Sequence, residues 1–189
     1  MSFAVCVFCG SASGGDPRYA AAAGELGGEI ARRGWTLVYG GGSVGLMGVV
    51  ADAALSAGGR VVGVIPRFLY EWEVGHDDLT ELEIVETLTE RKVRMGDLAD
   101  AFLAMPGGIG TMDEVFEALS WAQLGLMQKP NGLLNVGGYY DSLVAFLDHA
   151  MHEGFLKPRH RELLVTGENP VSLLDLLHAA ADARGDAPR

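Results

Sequence analysis

The chain of 189 residues is short of cysteine, lysine and long apolar runs, and each shortage removes a class of function. Cys6 and Cys9 are its only cysteines. Three apart in an apolar run that reads as a strand, they point to opposite faces and lie about 10 Å apart at about 3.3 Å per residue, so they cannot pair. No second cysteine pair completes a zinc site, and no group of His, Cys, Asp or Glu has ligand spacing, so reduced core thiols and no metal are expected. Lys and Arg number 14 against 25 Asp and Glu, a formal net charge of -11. Such a field repels polyanions, and no basic stripe offers itself to nucleic acid or anionic lipid. A small phosphorylated ligand stays compatible, because a local nest of backbone N–H groups holds an anion whatever the overall charge. The apolar opening "FAVCVFC" is too short to cross a bilayer and lacks a basic leader, so neither a membrane anchor nor a signal sequence is read there; the expected location is cytoplasmic.

What is present is apolar and periodic. With 49% hydrophobic residues the chain can bury the core of one domain, drawn here as 1–182 with a tail, 183–189, expected to be disordered. Short apolar runs at 3–9, 36–40, 60–65, 82–86, 101–105, 132–136 and 162–166 read as strands. They mostly do not alternate, as suits a sheet covered on both faces. Helical patterns near 17–33, 45–57, 88–99, 111–126, 139–152 and 170–182 separate most of them. Repeated βα units with right-handed crossovers predict a single α/β, doubly wound, Rossmann-like domain with a mostly parallel sheet flanked by helices. The stretch from Pro66 to Thr80 reads as a long irregular connection, with His76 as a solvated loop residue.

Ligands of such sheets collect beyond the carboxyl ends of the strands, where three loops are rich in glycine: "GSASGGDP", "GGGSVGLMG" and "PGGIGT". The second places Gly40, Gly42 and Gly45 in G-x-G-x-x-G spacing between a strand and a helix, as a dinucleotide fingerprint requires. The strand after it ends in "VIPRF", without the acid that binds a ribose 2′-hydroxyl, although Arg67 suits a 2′-phosphate. Glycines placed only for close strand-to-helix packing explain the spacing equally well.

The third loop carries more. Pro106 ends a strand, Gly107, Gly108 and Gly110 permit close approach, and Thr111 is expected to open a helix whose first amides lack internal partners. No G-K-[ST] follows, so a monophosphate held by amides and the Thr111 hydroxyl is expected, not a triphosphate held by lysine and magnesium. Thr111 and Glu114 also spell a T-x-x-E capping box, with Asp113 complementing the helix dipole. A carboxylate beside bound phosphate is repelled by it, so Glu114 needs a cationic neighbour. "TLTERKVRM" supplies one. Thr87 and Glu90 make a second capping box, which starts a helix near Leu88 and puts Arg91 and Lys92 beside its apolar stripe, both able to turn inward. A snorkelling stem explains Lys92; the planar fork of Arg91 suits a carboxylate or phosphate.

"GGGSVGLMG", "ERKVRM" and "PGGIGTMDE", in this order, closely resemble the Lonely guy family of cytokinin-activating phosphoribohydrolases, whose hallmark is P-G-G-x-G-T-x-x-E preceded by an arginine and lysine pair. The likeness runs from "VCVFCGS" through "SWAQLGLMQKPNGLLNVGGYYDSL" to "EGFL", most of the chain. It implies a cofactor-free homodimer that hydrolyses the N-glycosidic bond of adenosine 5′-monophosphate and its N6-prenylated forms to free base and ribose 5-phosphate. The family's older lysine decarboxylase label has little support in a chain whose lysines are Lys92, Lys129 and Lys157 and which shows no convincing site for pyridoxal phosphate.

By that resemblance Glu114 is the carboxylate that faces the ribosyl cation, and Arg91 orients it and binds the ligand. Lys92, Gly107, Gly108, Ile109, Gly110, Thr111, Met112 and Asp113 join the substrate-binding set, with phosphate on the amides of Gly108 to Thr111. Glu73 corresponds to a nucleotide-contacting glutamate, with Glu71 as its rival, and Ser120 replaces a position often held by threonine. Met47, Cys9 and the turn at Gly41 and Gly42 are expected to line the base or ribose pocket. The apolar residues Val115, Phe116, Leu119, Trp121, Leu124 and Met127, spread around one helix, suggest a second subunit. Two other functions remain open from sequence: a non-catalytic nucleotide or cofactor carrier, and an NADP-dependent oxidoreductase.

Overall fold

The computed structural model describes residues 2–73 and 75–185; of Glu73, Arg184 and Gly185 only the backbone is described. Seven strands, β1 (Ala4–Phe8), β2 (Thr36–Tyr39), β3 (Arg60–Pro66), β4 (Glu81–Val85), β5 (Ala101–Ala104), β6 (Asn131–Leu134) and β7 (Leu164–Gly167), form one sheet in the order β4-β3-β2-β1-β5-β6-β7. Every pairing in it is parallel. The chain winds outward from β1 to β4, then returns to lay β5 on the other side of β1. The order therefore reverses between β1 and β5, and the loops leaving those two strands diverge to open a crevice.

Among the described residues eight α-helices flank the sheet: α1 (Pro17–Arg32), α2 (Gly45–Ser56), α3 (Arg67–Glu73), α4 (Leu88–Leu98), α5 (Ile109–Leu124), α6 (Asp141–His152), α7 (Pro158–Arg161) and α8 (Pro170–Gly185). Successive strand residues bury opposite faces, which explains the unalternating apolar runs. Val5, Val7, Leu37, Tyr39 and Leu103 pack against Leu26 and Ile30 of α1, Val50 of α2 and Leu173 and Leu177 of α8. Cys6, Phe8, Val38, Val64 and Phe102 face Met95 of α4, Val115 and Ala118 of α5 and Leu147 of α6. Cys6 and Cys9 fall in different layers, both free and buried, so the thiols are kept apart by the sheet itself.

Several local expectations change. The connection after β3 is irregular only in its second half: α3 starts at once, with Phe68 and Trp72 one turn apart in edge contact at 5.9 Å, while 76–80 form no helix or strand. His76 is not solvated either. Its Nε2 lies 2.8 Å from Asp52 Oδ1 on α2, its N–H donates to Gly41 O, and its side chain is only 10% exposed. The last helix, expected to stop near 182, runs to Gly185, and 186–189 lie outside the described residues.

The largest revision concerns α5. It starts at Ile109 on Gly108, two residues before Thr111, and no side chain caps it. Thr111 is 3% exposed and packs over Gly107, where a β-carbon would come within 2.1 Å of its Oγ1. The expected box between Thr111 and Glu114 does not form, and Asp113 lies in the second turn, beyond the strongest part of the dipole. The other box holds in part: Thr87 Oγ1 accepts from Glu90 N–H at 3.1 Å, but the Glu90 carboxylate accepts from Glu86 N–H, one residue before the cap.

Candidate active site

The reversal in strand order, the α5 N-terminus and the inward face of α4 meet at one cleft of about 300 Å³. The three glycine-rich loops form its frame as a bonded unit. Gly10 N–H donates to Pro106 O at 3.1 Å, and Leu46 N–H of α2 donates to Gly10 O at 3.0 Å. Gly45, at φ +59°, faces the Ser11 backbone so closely that a β-carbon would lie 2.3 Å from Ser11 C. The second loop is therefore packed onto the first, and a protein carbonyl occupies the end of α2 where a dinucleotide pyrophosphate would sit. Within the G-x-G-x-x-G spacing, Gly45 serves packing.

The third loop is the opposite case. Gly108 and Gly110 have no heavy atom within 4 Å of a β-carbon position, and neither lies in the left-handed region. Nothing inside the protein demands glycine at either place, whereas a ligand pressed against the backbone would. The first internal bond of α5 runs from Met112 N–H to Gly108 O at 3.1 Å, so helix geometry leaves the amides of Ile109, Gly110 and Thr111 directed at the cleft. Two tyrosines brace this loop from behind: Tyr140 Oη donates to Met105 O and Tyr139 Oη to Gly107 O, both at 2.5 Å.

Arg91 turns inward from α4. Its Nε donates to Val64 O and its Nη2 to Gly40 O, both at 3.2 Å, at the carboxyl ends of β3 and β2. The guanidinium is thus held by two backbone carbonyls, which orient it without consuming its charge. Nη2 also stands 3.9 Å from Glu114 Oε1, an ion pair too long to be a hydrogen bond. The Glu114 side chain is only 11% exposed. Burial pushes its carboxyl up to about 7; Arg91 and Lys92 oppose that rise, while the anions at Asp113 and Glu117 add to it. The result is a carboxyl group near its titration midpoint at neutral pH, beside a cation and facing open space.

Lys92 is more than a snorkelling stem. Its Nζ lies 3.0 Å from Asp113 Oδ2 and 2.8 Å from Glu117 Oε2, tying α4 to α5 at the residue before Glu114 and at one turn beyond it. Burial of Cys9 pushes its thiol well above the usual range, so at the edge of the cleft it offers packing and not a nucleophile.

Of the residues read from sequence, Cys9, Met47, Arg91, Gly108, Ile109, Gly110, Thr111 and Glu114 border the cleft. Lys92, Asp113 and Gly107 support it from behind. Met112 packs against the inner core, and Gly41 and Gly42 shape the turn below the cleft, where Gly42 pairs with Gly75. Ser120 is not brought there. It lies six residues beyond Glu114, which turns it to another face of α5; its Oγ donates to Phe116 O at 2.7 Å, and it borders a separate cavity under α6 and α7. The Glu73 side chain lies outside the described residues. Sequence reasoning missed Gly10, Ser11, Leu69 and Leu88, which also line the cleft. The glycine-rich loop after β1 signalled the first two, and Leu88 belongs to the apolar stripe that Arg91 flanks; nothing in the periodicity signalled Leu69.

Known proteins share both fold and sequence with this chain. The family model described as "Possible lysine decarboxylase" matches residues 47–177. A probable cytokinin riboside 5′-monophosphate phosphoribohydrolase of Oryza sativa subsp. japonica is 52% identical over 173 residues, 92% of this chain and 76% of that protein. A cytokinin riboside 5′-monophosphate phosphoribohydrolase of Arabidopsis thaliana is 49% identical over 170 residues, 90% and 78% of the two chains. Among solved structures, the molybdenum cofactor binding protein of Rippkaea orientalis superposes with a TM-score of 0.72 at 23% identity, covering 95% of this chain and 97% of that one. The molybdenum cofactor carrier protein of Chlamydomonas reinhardtii gives 0.70 at 21% identity, covering 96% and 99%; at these identities the two share the fold. Identity near one half along nine-tenths of the chain is a different order of likeness, and it shows that this protein belongs to the cytokinin riboside 5′-monophosphate phosphoribohydrolase family.

Proposed function

We propose that the chain hydrolyses the N-glycosidic bond of adenosine 5′-monophosphates, N6-substituted forms included, releasing the base and ribose 5-phosphate. The observation that carries this reading is the Arg91 and Glu114 pair at 3.9 Å beside the uncapped start of α5. Breaking the bond builds positive charge on the ribosyl C1′ and O4′. Phosphate seats on the amides of Ile109, Gly110 and Thr111, and the sugar is thereby held with C1′ toward Glu114. The carboxylate offsets the ribosyl cation and accepts the proton of the water that adds to C1′, while the base departs with the bonding electron pair and takes up a proton. Arg91 keeps Glu114 ionised enough to act. Close support for the substrate class comes from the relatives' names.

Incubation with adenosine 5′-monophosphate and N6-isopentenyladenosine 5′-monophosphate tests this, with chromatographic detection of base and ribose 5-phosphate; tight binding of either nucleotide without product would instead indicate a carrier. A proton acceptor must be ionised before it acts, so kcat/KM is expected to fall tenfold per pH unit below about 7, the value to which Glu114 is raised. A flat profile between pH 5.5 and 7.5 contradicts that assignment. Gly108→Ala is expected to leave folding intact, since its β-carbon meets no protein atom, and to raise KM by about 10-fold or more through loss of one charge-assisted phosphate contact. Unchanged KM would remove the phosphate from this turn.

A cytoplasmic homodimer is part of the same reading. Supporting it, both thiols are free, and among the described residues no helix is long and apolar enough to cross a membrane. On α5 the core takes Val115, Ala118 and Ala122 but leaves Phe116 and Leu124 exposed, near the equally exposed Leu126. Sedimentation equilibrium measures the mass directly.

A further inference from the structure

We propose that Gly40 is a positioning residue for the reaction, its lack of a side chain being what seats the Arg91 guanidinium beside Glu114. The inference rests on the function proposed above and extends it to a residue whose spacing pointed elsewhere. Gly40 follows β2, is buried, and does not lie in the left-handed region, so its backbone conformation does not require glycine. What requires it is one side chain. A β-carbon at this position would lie 1.8 Å from Arg91 Nη2, 3.0 Å from Cζ and 3.5 Å from Nε, so all three nearest atoms belong to the guanidinium. Two other glycines of the same stretch differ: Gly45 meets Ser11 backbone and Gly48 meets Ser43 backbone.

The displaced atom is also the one that faces Glu114. Nη2 both donates to Gly40 O and stands nearest Glu114 Oε1. The Arg91 backbone cannot retreat, because the same helix buries Met95 against the sheet and Gly96 against Met127 and Trp121. A methyl group at position 40 therefore swings the guanidinium away from both carbonyls and from Glu114. Because the obstacle is the end of a long side chain and no rigid backbone is displaced, the loss falls on activity and hardly on folding.

The test is a double-mutant cycle with N6-isopentenyladenosine 5′-monophosphate as substrate. Gly40→Ala is expected to keep the wild-type circular dichroism and a Tm within a few degrees, and to lower kcat/KM at least 100-fold. In an Arg91→Ala background the same substitution should change kcat/KM less than 2-fold, since the group it displaces is gone. Gly24→Ala on α1, whose β-carbon meets nothing, serves as the control with unchanged activity. Independently of turnover, NMR titration of the Glu114 carboxyl should shift upward in Gly40→Ala, as in Arg91→Ala, because the opposing cation has moved away. That readout survives if the wild type proves inactive on every nucleotide, a result that would overturn the proposed function and not the seating role. Activity within 3-fold of wild type, an equal further loss in the Arg91→Ala background, an unshifted Glu114 titration, or failure of Gly40→Ala to fold would each overturn the proposal.

Discussion

Glu114→Gln is expected to give a folded protein that still binds adenosine 5′-monophosphate and turns it over at least 1000-fold more slowly. Glutamine matches glutamate in shape, and Glu114 sits in the second turn of α5, where it caps nothing, so the helix loses no bond. On the proposed mechanism, what disappears is the negative charge opposite the ribosyl cation and the proton acceptor beside Arg91, effects that each contribute about 10²-fold or more. Stability should move the other way. With the folded carboxyl at about 7 and the unfolded one near 4.5, the folded state holds its proton longer. Its advantage is intact below 4.5 and lost as pH rises through 7, leaving an ionised buried group that costs on the order of 3 kcal/mol above that. Glu114→Gln should accordingly unfold at higher urea than wild type at pH 8 and at similar urea at pH 4. Near-normal turnover, or a variant less stable at pH 8, would return Glu114 to a structural role.

Arg91→Ala should be the next most damaging change, lowering kcat/KM by about 10²- to 10³-fold, on the scale of losing one preorganised electrostatic contact. Three groups lose a partner at once: Val64 O, Gly40 O and the Glu114 carboxylate. Since Arg91 holds the Glu114 carboxyl below the value burial alone would give, its removal should also carry the acidic limb of the pH profile to higher pH. Arg91→Lys keeps the charge but not the planar fork, and one ammonium cannot meet both carbonyls in the same geometry; it should recover the pH limb more fully than the rate. A pH profile identical to wild type in Arg91→Ala would separate the two residues chemically, whatever their distance.

Which parts of this were readable in the linear chain follows from the range of the forces involved. All seven strands and six of the eight helices were legible as apolar runs and helical periods, because burial on both faces of a parallel sheet writes itself into local composition. The seven-residue α3 and four-residue α7 were not, since helices that short carry too few periods to register. The start of α5 was misjudged for a similar reason: threonine is a good cap in isolation, but here it is drawn into the space over Gly107, and glycine begins the helix instead. Ser120 joins the site set only through the family resemblance, and the helical turn carries it to another cavity.

The sequence by itself determined the parallel α/β class and the separation of the two thiols, and it singled out the glycine-rich loop before α5, with Arg91 and Glu114, as the candidate site. These follow from periodicities, glycine placement and residue chemistry that act within a few positions. Only the tertiary structure decided that Gly40 makes room for a guanidinium 51 residues away, that Gly10 closes the end of α2, and that burial lifts Glu114 to about 7. Excluded volume and desolvation depend on which distant segments meet, and that is settled when the sheet order reverses between β1 and β5.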